Sequence, residues 1–251
     1  MPLRQASSIV LRSYKVGETD KIVVFFTQEY GKLRGMARAA RRPRSRFGAS
    51  LEMGTEVELT FFEKESRELV SIDRCDIVRS RFSKLGEPIL ATTLGYVTEL
   101  IDSFALEREP NQRLYRLLRS TISALVERPS PETCARYFEA WLLRLSGSYP
   151  RRTNCPSCGR ALADEGARYL AAEHRLECAR CLSTGVSLSA QALRYVDAIW
   201  SQPPEEIAPP EAPSVLRELA RFHYGLIQEQ LEKDLKSHRV LQDLLRGSQD
   251  R

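Results

Sequence analysis

The chain has 251 residues, 42% of them hydrophobic, enough to fill one large core or two modest ones and too many for a disordered chain. Its net charge is +5, yet residues 1–50 alone hold 11 Lys and Arg against 3 Asp and Glu, so the cationic excess is local. No apolar run approaches the roughly 18 residues a membrane span needs, and the first twenty residues lack an unbroken apolar stretch of signal type, so a soluble cytosolic protein with no membrane partner is expected.

Five β-type runs occupy the first eighty residues, at Ile9 to Val16, Lys21 to Gln28, Lys32 to Ala37, Glu56 to Phe62 and Leu69 to Val78, separated by Gly17, Tyr30-Gly31, Pro43 and Gly54. Three strands, a longer connection and two further strands predict a five-stranded Greek-key barrel of OB type, with a half-open sheet as the alternative. The connection carries KLRGMARAARRPRSR, in which Lys32, Arg34, Arg38, Arg41, Arg42, Arg44 and Arg46 stand without a carboxylate among them. Most charge runs are solvated surface, but like charges without a neutralising partner repel one another unless a polyanion uses them. These seven side chains are therefore the candidate phosphate-binding set. Phe25, Phe26, Phe47, Phe61 and Phe62 lie in or beside the adjoining strands as candidate base-stacking rings, and alternation across a strand predicts one inward and one outward ring in each adjacent pair.

From Pro88 the apolar period becomes helical. Stripes run through Leu90, Leu94, Val97 and Ile101, then Leu114, Leu118, Ile122 and Leu125, then Tyr137, Phe138, Trp141 and Leu145, with Ser130 placed to cap the third helix. They resume at Leu193, Val196 and Trp200, at Leu216, Leu219 and Leu226, and in a last short helix with Leu241 and Leu245. The expected class is α+β and multi-domain, with an OB-type nucleic-acid-binding domain at 1–81 and one all-α helical domain at 82–251, interrupted by an insertion at 151–187.

That insertion holds Cys155-Pro-Ser-Cys158 and Cys178-Ala-Arg-Cys181, two CxxC pairs separated by nineteen residues. Four thiolates at this spacing suit one tetrahedral Zn²⁺ and leave no place for water or substrate, which predicts a structural site. Paired disulfides fit neither the length of the chain nor a reducing compartment. His174 is unneeded as a ligand, and Cys75 and Cys134 read as small buried hydrophobes. With three histidines and no tight carboxylate cluster beside them, no catalytic constellation is evident, so no enzymatic activity is expected.

In order, Glu18, Asp20, Ile22 to Thr27, Gly31-Lys32, Ala37-Arg38-Ala39-Ala40-Arg41-Arg42 and Ser45-Arg46-Phe47 leading to Leu51, then Leu142 to Leu145, Gly147 and Pro150 into Cys155-Pro156-Ser157-Cys158-Gly159, then Leu235-Lys236-Ser237 with Leu241, resemble the RecO family of recombination and repair mediators over essentially the whole chain. The chain departs from the family pattern at Arg38-Ala39, where a Lys-Gly pair is common, and at Ser148 and Arg152, where an aromatic and an apolar residue are common. Some relatives lack the cysteines. The resemblance implies a non-enzymatic protein of the bacterial cytoplasm, nucleoid-associated when on DNA. Such a protein binds single- and double-stranded DNA, anneals complementary strands and, with RecR, helps load RecA onto DNA coated by single-stranded DNA-binding protein. An RNA-binding protein with an OB barrel and a zinc ribbon, acting in translation or RNA processing, would share the basic loop and the rings.

Overall fold

The computed structural model describes residues 2–63, 68–81, 84–127 and 130–247; Met1, residue 82 at the head of the expected helical domain and the last four residues lie outside the described residues. Strands β1 (Leu3–Val16), β2 (Asp20–Thr27), β3 (Gly31–Ala37), β4 (Glu56–Phe62) and β5 (Val70–Arg79) close into a barrel in the order β1-β2-β3-β5-β4, the predicted OB-type arrangement. β1 begins well before Ile9. Its first half pairs with β4 and its second half with β2, with a register shift between Val10 and Arg12, so a single bent strand serves both neighbours and the ring can close. The last gap is closed by the short parallel pairing of Gly35 with Val70 and Met36 with Ser71. A Cβ at Gly35 would stand 2.6 Å from Ile72 Cγ1, so only glycine lets these strands approach.

Phe25 and Phe61 fill the barrel with aliphatic residues from all five strands, and Phe47 with Leu51, from the connection after β3, fold back into the same core. The expected alternation at Phe25-Phe26 holds in direction, but the outward ring does not reach water. Phe26 lies 6.2 Å from the Tyr115 ring and is fully buried, because a helix covers that face of β2. Burial on both faces is why Ile22 to Thr27 lacks a polar alternation.

Helices α1 (Pro88–Phe104), α2 (Gln112–Glu127), α3 (Pro131–Leu145), α4 (Leu162–Glu165), α5 (Ala190–Ser201), α6 (Ser214–Leu231) and α7 (Lys236–Gly247) follow, and the cysteine region adds β6 (Ala167–Leu170), β7 (Arg175–Glu177) and β8 (Val186–Leu188), an antiparallel sheet in the order β7-β6-β8. This small sheet lies outside the strands expected from the sequence. Ser130 is the N-cap residue of α3, but its side chain makes no capping hydrogen bond.

The chain forms two compact units, Met1–Pro129 with Leu235–Arg251, and Ser130–Asp234. The helices are thus shared between the units, a different division from one helical domain over 82–251. The reason is what each apolar stripe meets. α1 packs on α2, α7 and the barrel, and Ser237 at the start of α7 donates its N–H to Glu99 of α1 at 3.0 Å. α3 packs instead on α5 and α6. Within the second unit Arg136, Glu139 and His223 are all fully buried, with Arg136 Nη2 donating to Glu139 at 2.7 Å and His223 Nδ1 3.2 Å from the same carboxylate. Burial lowers the His223 pKa below its usual value, against the pull of Glu139.

In the first unit, Glu56 at the start of β4 is buried between Arg81, whose Nη1 lies at 2.6 Å, and Arg119 of α2, whose Nε lies at 3.0 Å. Arg81 is itself buried, so losing the carboxylate would strand its charge. Glu56→Ala is expected to destabilise this unit by about 3–5 kcal/mol, to be measured from the urea midpoint. A cost below the usual surface-mutation range would show that the pair is idle.

Candidate nucleic-acid interface and metal centre

The seven cations of the predicted phosphate set do not share one fate. Lys32 is buried, its Nζ donating to the Asp102 carbonyl at 2.6 Å with the Asp102 and Glu107 carboxylates at 3.7 and 3.6 Å. That carbonyl belongs to the last turn of α1, so Lys32 is a cation on a helix C-terminus and not a surface ligand. The adjoining backbone is equally tight: Arg108 N–H donates to the Lys32 carbonyl at 3.0 Å, and a Cβ on Gly31 would stand 2.1 Å from the Glu109 carbonyl oxygen. Arg34 is exposed and pairs with Glu107 at 3.1 Å.

The other five are exposed and keep their charge. Arg41 donates to the Gly17 and Glu18 carbonyls at 3.2 and 2.9 Å, and Arg46 donates to the Ile72 carbonyl at 3.2 Å while its guanidinium lies 5.0 Å from the centre of the Phe47 ring. Carbonyl acceptors fix these side chains without neutralising them. Arg38, Arg42 and Arg44 have no side-chain hydrogen bond or ion pair among the described residues. The loop itself is anchored: Asp20 Oδ1 accepts the Ala39 N–H at 2.8 Å, and Arg41 N–H donates to the Thr19 carbonyl at 2.8 Å. The Ala39 N–H, the Thr19 hydroxyl and then Arg38 and Arg42 hold the Asp20 carboxyl below its usual pKa.

Ala39 adopts φ +57°, a left-handed conformation that costs an alanine about 1–2 kcal/mol and a glycine little. This is the position where the sequence departs from a Lys-Gly pair. Ala39→Gly is expected to raise stability by up to about 1 kcal/mol, read as a shift in melting temperature; destabilisation would mean that the loop tolerates this geometry at no cost.

The candidate stacking rings are corrected by burial. Phe25, Phe47 and Phe61 are barrel core, Phe26 lies against Tyr115, and Phe62 is half-buried. Tyr14 of β1, not among the rings expected from the sequence, is 41% exposed, with the Arg12 guanidinium 4.9 Å from its ring centre. Arg12 faces Val24, which faces Arg34 in turn, so Arg12, Tyr14 and Arg34 share the outer face of β1-β2-β3. The period-two spacing of Arg12 and Tyr14 was the available signal; the exposure of these particular side chains, beside the fully buried Val24, was not.

In the second unit the four cysteine sulfurs lie within 4.8 Å of one another, and Cys158 and Cys178 are 3.6 Å apart. A tetrahedron with arms of about 2.3 Å spaces its ligands by about 3.8 Å, so the cluster is the right size for one ion. Its chemistry agrees. Burial opposes ionisation of Cys155, but N–H donors of Cys178, Ser157 and Cys158 outweigh it and hold that thiol at about 6. Cys181, facing Cys158 and Cys178, is pushed up to about 12. Thiolates this crowded repel, and a cation at their centre removes the repulsion. Each CxxC turn is closed by a backbone hydrogen bond, Gly159 N–H to Cys155 at 2.8 Å and Cys181 N–H to Cys178 at 3.0 Å. The set could hold a metal ion.

The family description "Recombination protein O N terminal" matches residues 1–81, and "Recombination protein O C terminal" matches residues 87–239. The chain belongs to the RecO family. Similar curated proteins, each called DNA repair protein RecO, come from Koribacter versatilis, 34% identical over 96% of this chain and 99% of that protein, and from Anaeromyxobacter dehalogenans, 29% identical over 97% and 98%. A third, from Geobacter metallireducens, is 33% identical over 76% and 78%. The chain is thus a member of a DNA repair and recombination family, and its departures from the RecO pattern find local solutions. Ser148 donates to Gln230 at 2.7 Å, while Arg152 pairs with Asp197 and lies 4.2 Å from the centre of the Trp200 ring. Among the described residues, no helix is long and apolar enough to cross a membrane.

Cys155→Ser, or chelation of the wild-type protein, is expected to remove bound metal and lower the melting temperature. Because the thiols bind metal as thiolates, metal content is also expected to fall as pH is lowered. Elemental analysis across pH checks both points, and an unchanged melting temperature in a metal-free chain would remove the structural role.

Proposed function

We propose that this protein is a non-enzymatic recombination mediator of the bacterial cytoplasm, associated with the nucleoid when on DNA. In this reading it binds single- and double-stranded DNA, anneals complementary strands and, with RecR, helps load RecA onto DNA coated by single-stranded DNA-binding protein. The 1–81 segment is its nucleic-acid-binding domain. The observation that carries the reading is the anchored loop on which Arg38, Arg42 and Arg44 make no side-chain hydrogen bond or ion pair among the described residues, flanked by the exposed Arg41 and Arg46, which donate only to backbone carbonyls.

Phosphates entering this loop replace counterions and meet arginines carried on a backbone that is already anchored, so the loop itself costs little further ordering. Nothing in this binding requires a reactive side chain. Contacts of this kind carry no base information, as expected of a mediator that works on any sequence. Tyr14 offers a stacking face for an unpaired base, while Arg12 and Arg34 beside it are held by Asp102 and Glu107. Annealing follows from the same charges: cations between two strands screen their repulsion and lower the barrier to pairing. We assign the four cysteines one structural Zn²⁺, since a closed thiolate set leaves no coordination position for a substrate.

With Lys32 and Arg34 removed from the phosphate set, five cations remain. If all five neutralise phosphates, the log-log salt slope for single strands is expected near about −3.5, or roughly 100-fold weaker binding between 50 and 200 mM salt. Replacing Arg38, Arg42 and Arg44 together with Ala should flatten that slope and slow annealing of complementary oligonucleotides, whereas Lys32→Met should lower stability and leave the slope unchanged. Fluorescence anisotropy over a salt series, with an RNA hairpin as competitor, checks this. A salt-independent affinity, or a preference for the hairpin at equal ionic strength, would sink the proposal.

A further inference from the structure

We propose that a cleft in the second unit, between the β6–β8 sheet and α6, is a second binding site for a nucleic-acid phosphate backbone, separate from the barrel loop. The cleft has a volume of about 470 Å³. One wall carries Arg168, opposite Ser187 in the β6–β8 register, and the other carries Ser214, Arg217 and Arg221, spaced along a single face of α6.

Two carboxylates also line the cleft, and both are committed elsewhere. Glu165 pairs with Arg160 at 3.4 Å and Arg180 at 3.2 Å. Glu218 accepts from the Ser189 N–H and, at 2.9 Å, from the Ser189 hydroxyl, at the start of α5. Neither reaches Arg168, whose Nε is buried without a hydrogen-bond partner and whose guanidinium has no ion pair among the described residues. An Nε in that state loses hydration without compensation, so an entering anion that accepts from it gains more there than at an ordinary surface arginine. The first turn of α6 adds to the field, having neither a capping side chain nor an acidic residue where Ser214 opens on the cleft.

The lining selects among anions. Leu188 is the only large apolar side chain in it, and the remainder is arginine, serine, glutamate, glycine and alanine. A docked peptide needs apolar pockets for its side chains, and this cleft has none of the required size. Arginines on facing walls, with hydroxyls beside them, suit successive phosphates of a chain threading between them. For annealing, such a site would give one chain a hold on a second strand.

The test uses the full chain and a deoxyoligonucleotide too short to span two sites, titrated to saturation at low salt. Arg168→Gln with Arg221→Gln is expected to saturate with one strand fewer per chain than the wild type, while Arg38, Arg42 and Arg44 to Ala removes a different equivalent. An unchanged number in the double variant overturns the inference whatever the barrel loop does, and loss of a strand only in the double variant upholds it while rejecting the loop. Arg221 is exposed, so Arg221→Gln alone serves if the double variant folds poorly; its binding at this cleft should weaken about tenfold. Capture of an acidic oligopeptide that the double variant loses, with oligonucleotide stoichiometry unaltered, would also overturn the assignment.

Discussion

A guanidinium or ammonium neutralised inside the protein cannot also serve a polyanion outside it, and this constraint sorts the cations of the chain. Lys32 sits on the last turn of α1, and Arg81 and Arg119 close on the buried Glu56. In the second unit Arg136 is held by Glu139 in a core that also takes His223. Burial makes these pairs expensive to break and unavailable for binding. Arg38, Arg42 and Arg44 are the opposite case. Their loop is fixed through its backbone and through Asp20, which leaves the side chains outside with charge to spare.

The division matters for a protein proposed to bring two strands together. A flexible basic tail would bind phosphate too, but ordering it would cost affinity, and its charges could reach back to any nearby carboxylate. Here the hydrogen bonds to the Gly17, Glu18, Thr19 and Ile72 backbone carry out that ordering during folding. The left-handed backbone at Ala39 is part of the cost of the conformation. The cysteine segment applies the same logic to anions: four thiols packed within 4.8 Å are an unstable collection of charge unless a cation joins them.

Much of the architecture was legible in the chain. Runs of β-type residues bounded by Gly17 and Gly31 placed β1, β2 and β3, and the change to a three-and-four period at Pro88 located α1, because side-chain branching and helix geometry are local properties. The CxxC pairs announced their cluster because ligand number and spacing are local chemistry. Periodicity identifies which face of a helix is buried but not its neighbour, so the sharing of helices between two units could not be read from it. The β6–β8 sheet escaped for a related reason, since strands of three and four residues are too short to establish a period.

Composition and spacing thus determined the barrel, the helical stripes, the quartet Cys155, Cys158, Cys178 and Cys181, and the concentration of charge after β3. Only the tertiary structure decided which of those charges remain available. Lys32 and Arg44 look alike in a sequence, but Lys32 meets Asp102, seventy positions along the chain, and Arg44 meets solvent. Tyr14 and Phe26 are likewise both outward-facing rings on neighbouring strands, and α2 covers only the second. The physical reason is the same in both comparisons. Charge and aromaticity belong to the residue, whereas neutralisation and exposure belong to whatever the fold brings against it.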